Sequence, residues 1–306
     1  MMYKFKNILV TGAAGFIGSN FVRIMLENYT DVKIVSYDKL TYAGSLENLK
    51  NLKNEHNHSF ILGDITDKEL VSNTLIKHNI DTIVHFAAES HVDNSIANPQ
   101  VFLETNIMGT FVLVESARKY WLANNLLDKQ KCRFHHISTD EVYGSLNHNE
   151  SAFTEENRYL PNSPYSSSKA SSDHIVRSYY HTYGLPITIS NCSNNYGPYQ
   201  HREKLIPMVI QSCIEQKKIP IYGDGSNVRD WLYVDDHCRA IECILQKGCV
   251  GETYNVGGEN ELDNLSLVKN ICQVMDVQKS RWSLYEELVT FVDDRLGHDF
   301  RYAIDS

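Results

Sequence analysis

Residues 7–18, Asn-Ile-Leu-Val-Thr-Gly-Ala-Ala-Gly-Phe-Ile-Gly, run from an apolar stretch into glycines at 12, 15 and 18, and a helical pattern over 16–27 begins inside them. Strand, tight glycine turn and helix in direct succession is the context a dinucleotide fingerprint requires. The glycines permit the turn, let the backbone approach a pyrophosphate and let helix and strand pack closely. The helix N-terminus then offers unpaired N–H groups to the anion. A second apolar stretch, Val-Lys-Ile-Val-Ser-Tyr-Asp, ends at Asp38. That is about 20 residues past the last glycine, where a carboxylate accepts hydrogen bonds from a ribose and repels a 2′-phosphate. NAD is therefore expected in preference to NADP, although Lys39 next door softens the repulsion. A third stretch ends at Asp64, expected at the adenine edge or as a helix cap.

The same rhythm continues outward. Apolar runs at 81–88, 133–139 and 186–192 alternate with helical patterns at 67–78, 99–121 and 163–183. Continuous apolar strands joined by helical crossovers belong to a parallel sheet covered on both faces. The fold class expected is α/β, a doubly wound parallel sheet of Rossmann type with a smaller mixed C-terminal lobe. Residues 1–192, with about 227–256, are expected to form the cofactor-binding domain. Residues 193–226 and 257–306, richer in loop and turn residues, are expected to form the second lobe.

The chain has 306 residues, 42% of them hydrophobic, and a net charge of −9. A pI near 5.8 excludes a surface built to hold phosphate backbones, so nucleic acid is not an expected partner. Seven cysteines, an odd number with no C-x-x-C pair, suit reduced thiols in a cytoplasm. The glycines at 12, 15 and 18 interrupt the first apolar stretch too early for a membrane span or signal core. His85, His91, His135, His136 and His174 do not fall at metal-ligand spacing, so no metal is expected.

Two further constellations carry chemistry. Tyr165 and Lys169 share one face of the helix beginning after Pro164 and ending at Gly184. A nearby ammonium stabilises phenolate, which makes Tyr165 a base for a sugar hydroxyl. Thr139, Asp140 and Glu141 stand at the carboxyl end of an apolar strand, the place that faces ligand in a doubly wound fold. Two adjacent carboxyls divide their pKa values, giving an acid and a base together. The alternative for the pair is a cap at a strand–loop junction.

The stretches TGAAGFIGS (11–19), DKLTYAG (38–44), AAESHVD (87–93), ISTDEVYG (137–144), PYSSSKASSDH (164–174), NCSNNYGPY (191–199), RDWLYVDDH (229–237) and DRLGHDFRYAID (294–305) together resemble the dTDP-glucose 4,6-dehydratases, within the extended short-chain dehydrogenase/reductases. The resemblance runs from about residue 7 to residue 306. It implies that Tyr165 takes a proton from the sugar 4-hydroxyl while hydride passes from C4 to NAD, with Thr139 sharing the hydroxyl and Lys169 holding tyrosine and ribose. Glu141 then removes the C5 proton, Asp140 protonates the departing 6-hydroxyl, and the hydride returns to C6. An elimination needs the 140–141 pair, whereas a simple alcohol dehydrogenase does not.

By the same resemblance Gly12, Gly15, Phe16, Ile17, Gly18, Asp38, Lys39, Leu40, Thr41, Asp64, Ile65, Phe86, Ala87, Ala88, Glu89, Thr105, Tyr165, Lys169 and Asn195 contact the cofactor. Ser90, Asn194, Lys204, Leu205, Pro220, Ile221, Tyr222, Arg229, Asn264, Asp294, Arg295 and His298 contact the nucleotide sugar. Arg229 and Arg295 are the diphosphate partners, since a guanidinium fork suits phosphate oxygens. The alternative for Arg229 is an ion pair with Asp230 or Asp235. A homodimer built on the helical patterns 99–121 and 163–183, and a role in supplying rhamnose precursors, are also implied. The chain departs from the family at His201-Arg202 and Leu296, and it lacks the family's further helical segment after residue 306, so C-terminal truncation is expected. A nucleotide-sugar 4-epimerase, the same dehydration of UDP-glucose, and a non-catalytic NAD-sensing protein are the competing readings.

Overall fold

The computed structural model describes residues 3–279 and 282–306. Its first strand, β1 (Asn7–Thr11), is buried at every position after Asn7. Ile8 and Val10 face one core and Leu9 the other, because successive strand side chains point to opposite faces. The later strands are β2 (Lys33–Asp38), β3 (His58–Leu62), β4 (Thr82–His85), β5 (Arg133–Thr139), β6 (Ile187–Cys192), β7 (Asn194–Tyr196), β8 (Ile219–Tyr222), β9 (Val228–Tyr233), β10 (Thr253–Val256), β11 (Glu261–Asp263) and β12 (Val289–Val292). The helices are α1 (Phe16–Asn28), α2 (Lys68–Lys77), α3 (Val92–Ala97), α4 (Pro99–Phe102), α5 (Thr110–Ala123), α6 (Pro164–Tyr183), α7 (Leu205–Glu215), α8 (Val234–Lys247) and α9 (Asn264–Gln278).

Seven strands form one parallel sheet in the order β10-β6-β5-β4-β1-β2-β3. The chain moves outward from β1 to β3, then returns to the other side of β1 to lay down β4. This reversal opens a crevice at the carboxyl ends of β1 and β4, where a doubly wound sheet takes its ligand. On one face α1 and α8 bury Phe21, Met25, Ile241 and Leu245 against Ile8 and Val10. On the other α2, α5 and α6 bury Leu75, Val114, Trp121 and Val176 against Leu9, Ile83 and Phe134. A smaller lobe joins α7, α9 and the parallel pair β8–β12 around Val209, Ile219, Ile221, Val268 and Tyr285.

Two expectations about organisation change. β9, expected within the larger unit, pairs instead with β7 and β11 in a three-stranded sheet beside the crevice, so only α8 and β10 return to the main layers. The helical pattern at 99–121 is not one α-helix. Between α4 and α5 the backbone widens into a π-helical stretch, Leu103–Gly109. There the Asn106 amide accepts from the Glu89 N–H at 2.9 Å and donates to the Glu89 carbonyl at 3.0 Å and to Ser168 Oγ at 2.8 Å. Such widened turns concentrate at functional sites, and this one holds the β4 loop to α6. No helix among the described residues is long and apolar enough to cross a membrane.

Candidate active site

The glycine turn is shaped by contact as much as by conformation. Gly12 has φ +67°, and a Cβ there would stand 2.6 Å from the Ala87 nitrogen. A Cβ on Gly18 would collide with the Gly12 carbonyl. Gly15 is the N-cap of α1, and no side chain caps that helix end. The first-turn N–H groups therefore face the crevice without a side-chain acceptor, which fits a dinucleotide phosphate. Gly12→Ala should destabilise the fold by about 3 kcal/mol or more, combining left-handed strain with a backbone collision. Protein retaining wild-type melting temperature and bound dinucleotide would refute this account of the turn.

Asp38 is buried, and its two oxygens accept from the Ala14 N–H at 2.9 Å and the Leu40 N–H at 2.8 Å. It therefore braces the glycine turn as well as bordering the crevice. Burial raises its carboxyl above the usual range, against those backbone donors. Leu40, expected against the cofactor, has φ 55° and turns its side chain into the core beneath α1. Lys39 pairs with Asp64 at 2.6 Å. Asp64 also accepts from the Thr66 N–H, and the cap of α2 is Asp67.

One continuous cleft runs from the glycine turn past the ends of β4 and β5 to α7. It is lined by Gly12, Gly15, Phe16, Ile17, Gly18, Asp38, Lys39, Thr41, Asp64, Ile65, Phe86, Ala87, Ala88, Glu89, Ser90, Thr105, Thr139, Asp140, Glu141, Tyr165, Lys169, Asn194, Asn195, Lys204 and Leu205. The remaining expected contacts do not line it. Ile221 is buried in the core of the smaller lobe with Pro220 beside it on β8, and Asn264 starts α9. Arg229 lies buried, donating to the carbonyls of Val228, Asp299 and Phe300 with its guanidinium 4.3 Å from the Tyr302 ring centre. The alternative ion pair with Asp230 does not form among the described residues, since Asp230 accepts instead from the N–H groups of Gly258 and Asn260. Tyr222, Asp294, Arg295 and His298 gather at the outer lip, where Asp93 lies 3.6 Å from Arg295 and Asp294 accepts from His298 at 2.6 Å.

At the end of β5 the Thr139 hydroxyl accepts from the Glu141 N–H at 3.3 Å and caps a short turn, Asp140–Tyr143. That turn carries the two carboxyls into different surroundings. Asp140 is 2% exposed, and its Oδ2 has no hydrogen-bond partner among the described residues. Burial and then the Glu141 charge hold its carboxyl well above the usual range. Glu141 is raised by burial, but Arg229, Arg295 and Lys204 oppose the rise and favour its carboxylate. The pair thus offers an acid and a base on one turn.

α6 begins where the sequence places it. Ser163 and Ser166 form a reciprocal capping box with Pro164 in the first turn, and Gly184, φ 67°, closes the helix. Tyr165 and Lys169 are both buried on its inner face. Lys169 Nζ donates to the Ile137 carbonyl at 2.7 Å. The expected lowering of the Tyr165 phenol by this ammonium is not what the surroundings give. Burial first, then the Glu141 charge, hold the phenol well above its usual value, while a hydrogen bond with Thr139 works the other way. The cleft also takes in Ser138, Cys192, His201, Glu203 and Trp231, to which the sequence alone assigns no contact or role. Among the described residues no three His, Cys, Asp or Glu side chains group to hold a metal.

Residues 9–306 match the family model described as GDP-mannose 4,6 dehydratase. The chain is 52% identical over 307 residues to a dTDP-glucose 4,6-dehydratase of Shigella flexneri, covering 98% of this chain and 85% of the relative. The solved dTDP-glucose 4,6-dehydratase of Streptomyces venezuelae, with NAD and TYD bound, superposes with a TM-score of 0.88 at 45% identity, covering 98% of this chain and 88% of that one. The UDP-glucose 4-epimerase of Thermotoga maritima, with UDP-glucose, shares the fold at a TM-score of 0.84 but only 28% identity, covering 98% and 89%. With a glycine turn, a Tyr–Lys helix and an acidic pair on one crevice, and with this identity over nearly its whole length, the chain belongs to the dTDP-glucose 4,6-dehydratases of the extended short-chain dehydrogenase/reductase family.

Proposed function

We propose that the protein is a hydro-lyase that converts dTDP-glucose into dTDP-4-keto-6-deoxyglucose with NAD as its resident cofactor. The observation that carries this reading is the placement of Asp140 and Glu141, both raised by burial but with Arg229, Arg295 and Lys204 opposing the rise at Glu141, on the same cleft as Tyr165 and the uncapped α1 N-terminus. Bound beside the sugar, NAD would supply hydride-acceptor and hydride-donor chemistry. Gly12, Gly15, Phe16, Ile17 and Gly18 hold its pyrophosphate, and Asp38 with Asp64 borders its adenosine end.

The chain's own side chains manage the protons. Tyr165, aided by the Thr139 hydroxyl, accepts the 4-hydroxyl proton. Glu141 takes the C5 proton that the 4-keto group acidifies and later returns it to C5. Asp140 gives its proton to the leaving 6-hydroxyl, which departs as water. At the end Tyr165 holds a proton and Asp140 lacks one. Thr139 Oγ1, 3.3 Å from Asp140 Oδ1 and hydrogen-bonded to Tyr165, supplies a short route to reset them. Lys204, Arg295 and His298 near the outer end meet the diphosphate and sugar. The free cysteines among the described residues suit a reducing cytoplasm. The π-helical stretch with α5 and α6, exposing Leu103 and Met108, Phe111 and Tyr183 respectively, suits a four-helix homodimer contact. Supply of deoxysugar precursors, rhamnose among them, is the corresponding cellular role.

Purified protein incubated in parallel with dTDP-glucose and UDP-glucose tests the reading. The dTDP-sugar should lose one water, without added NAD and without NADH building up. A product of unchanged mass, as a 4-epimerase gives, or NADH rising in step with product, would displace it.

A further inference from the structure

Lys169 must stay cationic where burial disfavours a charge. It is 5% exposed, its Nζ donates to the Ile137 carbonyl at 2.7 Å, and His136 Nε2 lies 3.5 Å away. Neither neighbour is anionic. Desolvation drives a lone buried ammonium toward the neutral amine, and burial does hold Lys169 below the usual lysine value, with Asp173 acting in the opposite direction. A neutral amine gives a phenolate no support.

One turn further along α6, Asp173 is 2% exposed and lies on the same face by i,i+4 spacing. Its Oδ2 accepts from Ser138 Oγ at 2.7 Å, and its Oδ1 is 3.1 Å from His136 Nε2. Burial holds the His136 imidazole well below the usual value, so it is neutral. Its Nε2 lies 3.2 Å from Ser172 Oγ as well as close to Lys169 and Asp173, while Nδ1 and Asp173 Oδ1 have no hydrogen-bond partner among the described residues. No other nearby group supplies the negative charge. His85, facing from β4, is kept neutral by burial, and the Cys192 thiol, facing from β6, is pushed up to about 12. Burial also raises the Tyr159 phenol, which faces Asp173 from the segment before α6. His174, the helix neighbour of Asp173, is exposed and brings no anion. Burial pushes the Asp140 carboxyl well above its usual range, and the Glu141 charge acts on Tyr165.

We propose that Asp173 is the positioning counter-ion of Lys169. In the buried cluster of Lys169, His136 and Asp173 behind β5, the Asp173 carboxylate acts through space on the ammonium beside the neutral imidazole and holds the lysine in the charged form that Tyr165 needs as a base. The inference rests on the dehydratase reading, in which Tyr165 and Lys169 act together. Nothing in the Y-x-x-x-K spacing marks Asp173, because its role depends on β5 lying beneath α6.

Asp173→Asn keeps the shape and removes the charge. The acid limb of its kcat–pH profile should move upward by about one pH unit, with kcat near neutral pH about tenfold lower. KM for dTDP-glucose and the NAD retained through gel filtration should stay close to wild type. Asp173→Glu should recover most of the shift. An acid limb left in place, or moved to lower pH, overturns the proposal, because Lys169 would then hold its charge unaided. Should Asp173→Asn not fold, Ser138→Ala removes one donor to the carboxylate and should shift the limb in the same direction by less; no shift there also overturns it. Water loss by the wild-type enzyme judges the dehydratase reading separately, so failure of one is not failure of the other.

Discussion

Glu141→Gln should lose about 10²–10⁴-fold in dehydration rate, the usual contribution of a positioned proton-transfer group. The amide matches the carboxylate in shape, but it cannot remove the C5 proton. The loss should therefore fall on kcat, with no solvent deuterium entering C5 and no sugar lighter by one water in the mass spectrum. The substitution also removes the charge that raises both Asp140 and Tyr165, so the step at C4 should not be impaired and should extend to lower pH. Near-normal activity in this variant would mean that no C5 proton is removed here, and an epimerase would then be the better description. The sugar-nucleotide KM should change little, because Lys204 and Arg295 remain.

Tyr165→Phe should cost a similar factor, about 10²–10⁴-fold, for a different reason. The phenol is 9% exposed and shares a hydrogen bond with Thr139 at the carboxyl end of β5. Its removal leaves the 4-hydroxyl with an uncharged threonine alone. Unlike Glu141→Gln, this variant should fail before C4 is oxidised, so enzyme mixed with dTDP-glucose should show no transient absorbance from reduced cofactor. The pH sign also follows. Burial and Glu141 hold the phenol above its usual value, so the base form is lost as pH falls. Wild-type activity should decline on the acid side, and the residual activity of Tyr165→Phe should lack the part of that decline due to Tyr165. A variant retaining most of its rate would remove Tyr165 from the chemistry.

How far the sequence reaches can be judged at particular residues. The glycine turn and the start of α6 are written locally. Gly12, Gly15 and Gly18 are spaced by the turn they make, and Ser163, Pro164 and Ser166 cap the helix that follows them. The strand rhythm was legible for the same reason, since a strand covered on both faces must be apolar at nearly every position. The left-handed backbone of Leu40, which no spacing rule records for a leucine, is not legible in the sequence, nor is the packing of its half-buried side chain against the core. The burial of Arg229 is not legible in the sequence, because the carbonyls it donates to, at Asp299 and Phe300, lie about 70 residues further along the chain. Asn106 was missed because its amide bonds Ser168 across 62 residues and reshapes a helix whose apolar pattern gives no sign of widening.

By itself the sequence determined the doubly wound order of the elements, the dinucleotide turn and the residue types at the end of β5, because turn chemistry, helix capping and apolar period act over a few neighbouring residues. Only the tertiary structure decided which charges surround Asp140 and Glu141 and which side chains stand behind Lys169. Those outcomes depend on burial and on charges brought close by chain closure, here Arg229, Arg295 and Lys204 around Glu141 and Asp173 beneath β5. In a low-dielectric interior such distant neighbours set a proton's place, and sequence adjacency does not.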